Sequence, residues 1–145
     1  MKNEIVDKLN LLLANYQIHY QNLRGLHWNI QGKHFFELHA KFEELYNDAT
    51  VKIDEIAERI LTIDGRPLHT FEDYLRTAEI EAKKNIHDGE GAVRGIISDM
   101  TAILQLEKQI KAIAIEIGDD GTEDLMSDFL DQQEKTLWML RAWMK

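Results

Sequence analysis

Four side chains in one short stretch could hold a metal ion: His39, Glu43, Asp54 and Glu58. Their donors are imidazole nitrogen and carboxylate oxygen, a set that suits Fe(II), Mn(II) or Zn(II). The chain has no Cys, which excludes a thiolate centre, a thiol nucleophile and a disulfide framework. His39/Glu43 and Asp54/Glu58 are each spaced i,i+4, so on a helix each pair projects from one face, one turn apart. Glu43 and Asp54 are eleven residues apart, close to three turns at ~3.6 residues per turn, so all four share one stripe. The same eleven residues span roughly 16 Å at ~1.5 Å per residue, too far for one metal cluster. Two copies running antiparallel across a two-fold axis remove that difficulty, because His39/Glu43 of one then meets Asp54/Glu58 of the other, twice. Ordinary solvated i,i+4 pairs have the same spacing, so the pattern alone leaves both readings open.

The helix that must carry these residues has a second face. Phe35, Leu38, Phe42, Leu45, Ala49, Ile53, Ile56, Ile60 and Ile63 recur at steps of three and four. At ~100° per residue this apolar stripe is centred roughly 130° from the ligand stripe. Phe36, Asn47, Thr50, Ala57 and Leu61 lie on the ligand face and are small or apolar enough to be packed. One face therefore serves the chain's own core, and the other serves something else.

The remaining periodicity gives three more long helices. Helix A is expected from an N-cap at Asn3 to Gln31, with Gly32 as its stop. Its stripe is Ile5, Leu9, Leu12, Tyr16, Leu23 and Ile30, with His19 and His27 on or beside it. His19 reads as a hydrogen-bonded core residue, whereas His27, in the segment His27-Trp28-Asn29, lies close in sequence to the ligand helix. Helix B is expected to end near Asp64-Gly65, with Pro67 beyond. Arg66–His87 is too long for a bundle turn, and Thr70 with Asp73 three residues on marks the start of a short helix inside it. Helix C is expected over Asp88–Ile117, closed by Gly118, and helix D after Thr122. The expected fold is all-α, one domain over residues 1–145: a ferritin-like four-helix bundle with one long B–C crossover carrying a short extra helix.

Such bundles commonly hold a di-iron site in their interior through Glu-x-x-His pairs. This chain has no Glu-x-x-His, which moves the expected metal to a surface between chains. No apolar run reaches the ~18 residues of a membrane span, and Met1–Asn10 has no signal-peptide pattern. The expected location is the cytoplasm, with no membrane partner. A formal charge of −9 suits a protein that attracts cations.

Three segments together carry a family resemblance: His27-Trp28-Asn29-Ile30-Gln31-Gly32, then Phe35-x-x-Leu38-His39-x-x-Phe42-Glu43-Glu44-x-Tyr46, then Asp54-x-x-Ala57-Glu58-Arg59-Ile60. This pattern resembles the Dps family of mini-ferritins (DNA-protection-during-starvation proteins). The likeness extends to the crossover helix and to the ending Trp138-Met139-Leu140-Arg141-Ala142-Trp143. It implies a homo-oligomer, a hollow dodecamer of four-helix bundles, with ferroxidase sites at the dimer interfaces and iron as Fe2+/Fe3+ at two sites per interface. Carried over residue by residue, His27, His39 and Glu43 come from one subunit and Asp54 and Glu58 from its two-fold mate. Asp54 and Glu58 would hold the tighter iron. Many members have Asp where this chain has Glu43. Trp28 would lie near the metal, either as an electron donor when oxidant outruns iron or as an interface aromatic. The implied reaction is oxidation of Fe(II), preferably by hydrogen peroxide rather than oxygen, with Fe(III) stored as an oxide mineral.

Gly118–Asp124 and Asp128 form the densest acidic run. Helix capping and favourable charge at the start of helix D explain part of it. The resemblance adds a role for Asp119, Asp124 and Asp128 as the acids lining a three-fold cation channel. His34, His69 and His87, near helix ends or in the crossover, read as surface residues.

The family name also raises direct DNA binding, a nucleoid-associated alternative. The first ten residues set Lys2 and Lys8 against Glu4 and Asp7, and the chain ends Arg141-Ala142-Trp143-Met144-Lys145, so neither end is a basic arm. Non-specific affinity comes mainly from counterion release by Lys and Arg, and a net −9 chain in many copies repels the duplex. No direct nucleic acid binding is expected: at physiological salt in metal-free buffer the protein should leave plasmid mobility unchanged in a gel shift. A retarded band would overturn that expectation.

Overall fold

The computed structural model describes residues 2–145. Met1, the first residue of the stretch read above for a leader or basic arm, lies outside the described residues, as does the Lys2 side chain. Five helices follow in order: α1 (Lys2–Asn29), α2 (Phe35–Thr62), α3 (Phe71–Thr77), α4 (Gly89–Ile117) and α5 (Asp120–Met144). No strand occurs among the described residues. α1 packs along α2, α4 along α5, and α1 lies against α4, with α3 on the α1 side. This is the ferritin-like bundle expected from the sequence, with the short helix in the α2–α4 crossover.

Several helix ends follow from local chemistry. Thr70 caps α3 by accepting from the Asp73 N–H, and Asp88 caps α4 by accepting from the Gly91 N–H. Gly118 closes α4 in the left-handed conformation, φ 74°. Three expected ends differ. Asn3 is not a cap, because α1 already includes Lys2 and Asn3. α1 ends at Asn29 rather than Gln31, because the Gln31 N–H leaves the helix to donate to the His87 carbonyl at 2.8 Å. α5 begins at Asp120 rather than after Thr122, because Asp119 takes the cap position and accepts from the Thr122 N–H.

The crossover has little regular structure, so its backbone must find partners elsewhere. Three asparagines of α1 supply them. Asn10 accepts from the Leu68 N–H and donates to the Arg66 carbonyl, Asn15 accepts from the Glu79 and Ile80 N–H groups, and Asn22 accepts from the Lys83 N–H and donates to the Glu81 carbonyl. The strap is thus fixed along the length of α1.

The bundle interior is not wholly apolar. Glu107 is 0 % exposed; the Tyr16 hydroxyl donates to it at 2.8 Å and the Gln133 amide at 3.1 Å, and Gln133 also donates to the Tyr16 oxygen. Nearby His19 is buried, as expected, and among the described residues its Nδ1 has no hydrogen-bond partner. Burial pushes the Glu107 carboxyl up to about 7, even though Tyr16, Gln133 and the Lys52 charge all pull the other way. The folded protein holds this proton more tightly than the unfolded chain, whose Glu titrates near 4.5, so stability falls as pH climbs from about 4.5 to about 7. Glu107→Gln removes that loss and should gain on wild type across the interval by up to roughly 3 kcal/mol. Thermal midpoints of both proteins at about pH 5 and about pH 8, at equal concentration, read this directly; a gap that stays constant with pH would contradict it.

Candidate metal centre

The site starts where α1 ends. His27 is buried and His39, on the first turns of α2, is half-buried. Their rings stack at 3.7 Å between centroids with 13° between planes. Each is tied to the other's backbone: His27 Nδ1 meets the His39 carbonyl at 2.6 Å, and His39 Nδ1 meets the His27 carbonyl at 2.8 Å. A carbonyl only accepts, so each Nδ1 is the protonated donor, which leaves Nε2 as the ring nitrogen able to offer a lone pair to a metal. The early end of α1 makes this possible. Gln31, whose N–H would otherwise bond the His27 carbonyl, bonds His87 instead, so that carbonyl is open to His39. Phe35 stacks on His39 at 4.9 Å and the Tyr46 ring stands edge-on to His27 at 5.3 Å, which fixes both imidazoles by packing.

Glu43, one turn beyond His39, places Oε1 3.7 Å from His27 Nε2. That is too long for a hydrogen bond. Two donors bound to one ion at about 2.1 Å each stand roughly 3–3.6 Å apart at ordinary coordination angles, so a small closure lets both donors serve one metal. Sequence reasoning gathered His27, His39 and Glu43, and all three meet at the α1–α2 junction. Asp54 and Glu58 do not join them. Both are exposed, further along the same uninterrupted helix. Among the described residues, no three His, Asp or Glu side chains of one chain are arranged to hold a metal.

Large apolar side chains flank the stripe in the open: Trp28 is 55 % exposed, Phe36 84 % and Leu61 58 %. The Arg24 guanidinium lies 4.8 Å from the Trp28 ring centre and 5.4 Å from that of Tyr20, and Tyr20 in turn stands edge-on to Tyr46. Trp28 is thus linked to the His27 pocket through the Arg24 guanidinium and the Tyr20 and Tyr46 rings.

In the acidic run, Asp124 and Asp128 are exposed on α5. Asp119 is differently placed. Its carboxylate accepts from the Thr122 N–H at 3.1 Å, the Thr122 hydroxyl at 2.6 Å and Arg59 Nη2 at 2.7 Å. Partial burial would raise its pKa, but the Thr122 bonds and Arg59 outweigh burial and hold it below the usual carboxylate range. His34, His69 and His87 are exposed, as expected.

Two cations on the opposite side of α2 were not foreseen. Lys52 is 3 % exposed and reaches Asp48 and Gln132; Arg59 reaches Asp119 and Thr122. A signal existed for Lys52, which falls at step three after Ala49 and four before Ile56, inside the apolar stripe.

Comparison with known proteins gives a consistent picture. Residues 6–145 match the ferritin family model, described as a ferritin-like domain. A DNA protection during starvation protein of Porphyromonas gingivalis is 42% identical over 139 residues, 96% of this chain and 87% of that protein. DNA protection during starvation protein 2 of Bacillus anthracis is 38% identical over 144 residues, 99% of each chain. The crystal structure of a Dps protein from Vibrio cholerae O1, described as a member of a broad superfamily of ferritin-like diiron-carboxylate proteins, superposes with a TM-score of 0.98 at 51% identity, covering 99% of this chain and 91% of that one.

Proposed function

The chain belongs to the Dps family of ferritin-like proteins, and from that premise we propose that it oxidises Fe(II) at sites shared between two subunits and stores the Fe(III) as mineral inside a hollow dodecamer. The observation that carries this reading is the division of one ligand stripe into two groups on a single helix. His27, His39 and Glu43 gather at one end, while Asp54 and Glu58 stand exposed at the other. An antiparallel second copy supplies what each group lacks. Exposed Trp28, Phe36 and Leu61 around the stripe are the apolar surface that such a copy would cover.

Iron is the substrate. The two histidines would bind through Nε2, because their Nδ1 protons are held by backbone carbonyls. Glu43, Asp54 and Glu58 offer anionic oxygens, which favour Fe(III) over Fe(II) because hard anions stabilise the higher charge more. Two Fe(II) and one hydrogen peroxide, with two protons, give two Fe(III) and two water molecules. Delivering both electrons to one peroxide avoids the hydroxyl radical that a single Fe(II) would release. No side chain of the chain acts as nucleophile. When oxidant exceeds iron, Trp28 would give up an electron; its alternative role is as an interface aromatic. Asp119, Asp124 and Asp128 would draw Fe(II) through a three-fold channel, Asp119 while also bonded to Thr122 and Arg59.

The relatives named for DNA protection favour a second reading, protection by direct DNA binding. The net charge of −9 opposes it.

The test is anaerobic stopped-flow oxidation of Fe(II) by added peroxide, wild type against Asp54→Ala/Glu58→Ala. The expected result is fast oxidation at about half a peroxide per iron, lost in the variant while the assembly stays intact. Equal rates in the two proteins would reduce the stripe to an interface and the chain to a structural cage.

A further inference from the structure

The side of α2 that faces away from the ligands is tied to α5 at two places. Lys52 Nζ meets Gln132 Oε1 at 2.8 Å and lies 5.4 Å from the Phe129 ring centre, with its charge balanced by Asp48 at 2.5 Å. Arg59 Nε meets the Thr122 hydroxyl at 3.0 Å and its Nη2 meets Asp119 at 2.7 Å. The Arg59 guanidinium lies so close over Gly121 that a Cβ there would sit 2.6 Å from it and displace it from this position. Positions 52 and 59 are seven residues apart, nearly two whole turns, so both ties act on one line of the helix. At ~100° per residue, Asp54 and Glu58 lie roughly 110–150° round from that line, and in sequence they fall between the two ties.

We propose that Lys52 and Arg59 are positioning residues for the iron site. Gripped from behind at both ends, the segment Lys52–Arg59 cannot rotate about its axis or fray, and Asp54 and Glu58 are thereby aimed outward at a fixed angle towards the subunit that completes the site. The Arg59 tie also joins the turn carrying Glu58 to the first turn of α5, whose acids are proposed to conduct the cation. This inference rests on the shared-site reading and extends it to residues that touch no metal.

The test uses the full assembled protein and Co(II) as a spectroscopic probe, in Arg59→Gln, Lys52→Met, Asp119→Asn and Arg59→Lys, with Asp54→Ala/Glu58→Ala as control. Arg59→Gln and Lys52→Met should each weaken Co(II) binding by about tenfold, the scale seen when partners of metal ligands are removed, and shift the visible band. Arg59→Lys, which keeps the charge opposite Asp119, should recover part of the loss. If Arg59→Gln fails to assemble, Asp119→Asn decides, since it loses the ion pair yet keeps a side-chain oxygen for Thr122. Wild-type affinity and spectrum in the tie variants, with only a lower melting temperature, would make the ties purely structural and overturn the proposal. Wild-type Co(II) binding in the Asp54/Glu58 control would instead strike at the site reading itself.

Discussion

A straight helix cannot bring its own distant side chains together. α2 runs unbroken from Phe35 to Thr62, and at ~1.5 Å per residue the Asp54 and Glu58 positions of its second half stand roughly 16 and 22 Å along the axis from Glu43. Everything distinctive about this chain follows from that constraint. The side chains proposed as metal donors are sorted into two incomplete sets on one stripe, the apolar residues occupy a different stripe, and the proposed donor face remains open with Trp28, Phe36 and Leu61 beside it. A bundle with donors on four inward faces closes a site by itself; one with donors on a single outward face needs a second molecule.

Each incomplete set is held by different means. At the α1–α2 junction the backbone does the work. The His27 and His39 carbonyls each take the other ring's Nδ1 proton, and this exchange depends on α1 stopping at Asn29 so that one carbonyl lacks its helical partner. Both imidazoles are thereby fixed in one tautomer and one orientation before any metal arrives, which lowers the ordering cost of binding. At the far end the carboxylates are exposed and have no such clasp; what fixes them is the helix that bears them, joined to α5 through Lys52 and Arg59. The polar residues of the interior are arranged the same way, with Glu107 held by Tyr16 and Gln133 from two other helices.

Most of this fold was legible because helices write their period and their caps into the sequence. Thr70, Asp88 and Gly118 marked three ends correctly, since each acts through residues within a turn of itself. Asn3 as a cap and the start of α5 were misread for opposite reasons. Asn3 had the right side chain, but the helix continues past it, whereas Asp119 is a true cap hidden by the Gly121-Thr122 that follows and looks like a loop. The ligand stripe could be read because i,i+4 spacing is local. The Asn10, Asn15 and Asn22 bonds to the crossover could not, because they join residues tens of positions apart and leave no periodic trace. Glu107 and Lys52 lie in between: both interrupt apolar stripes visibly, but their partners sit on helices whose register only the folded chain fixes.

Intersubunit complementation tests the shared site most directly. A His39→Ala/Glu43→Ala chain and an Asp54→Ala/Glu58→Ala chain, each assembled alone, have every site broken. Co-assembled at random, half the two-fold pairs are mixed, and each mixed pair regains one intact site, so about a quarter of wild-type ferroxidase activity should return. If each site were built within one chain, co-assembly would restore nothing, and that result would contradict the shared geometry outright.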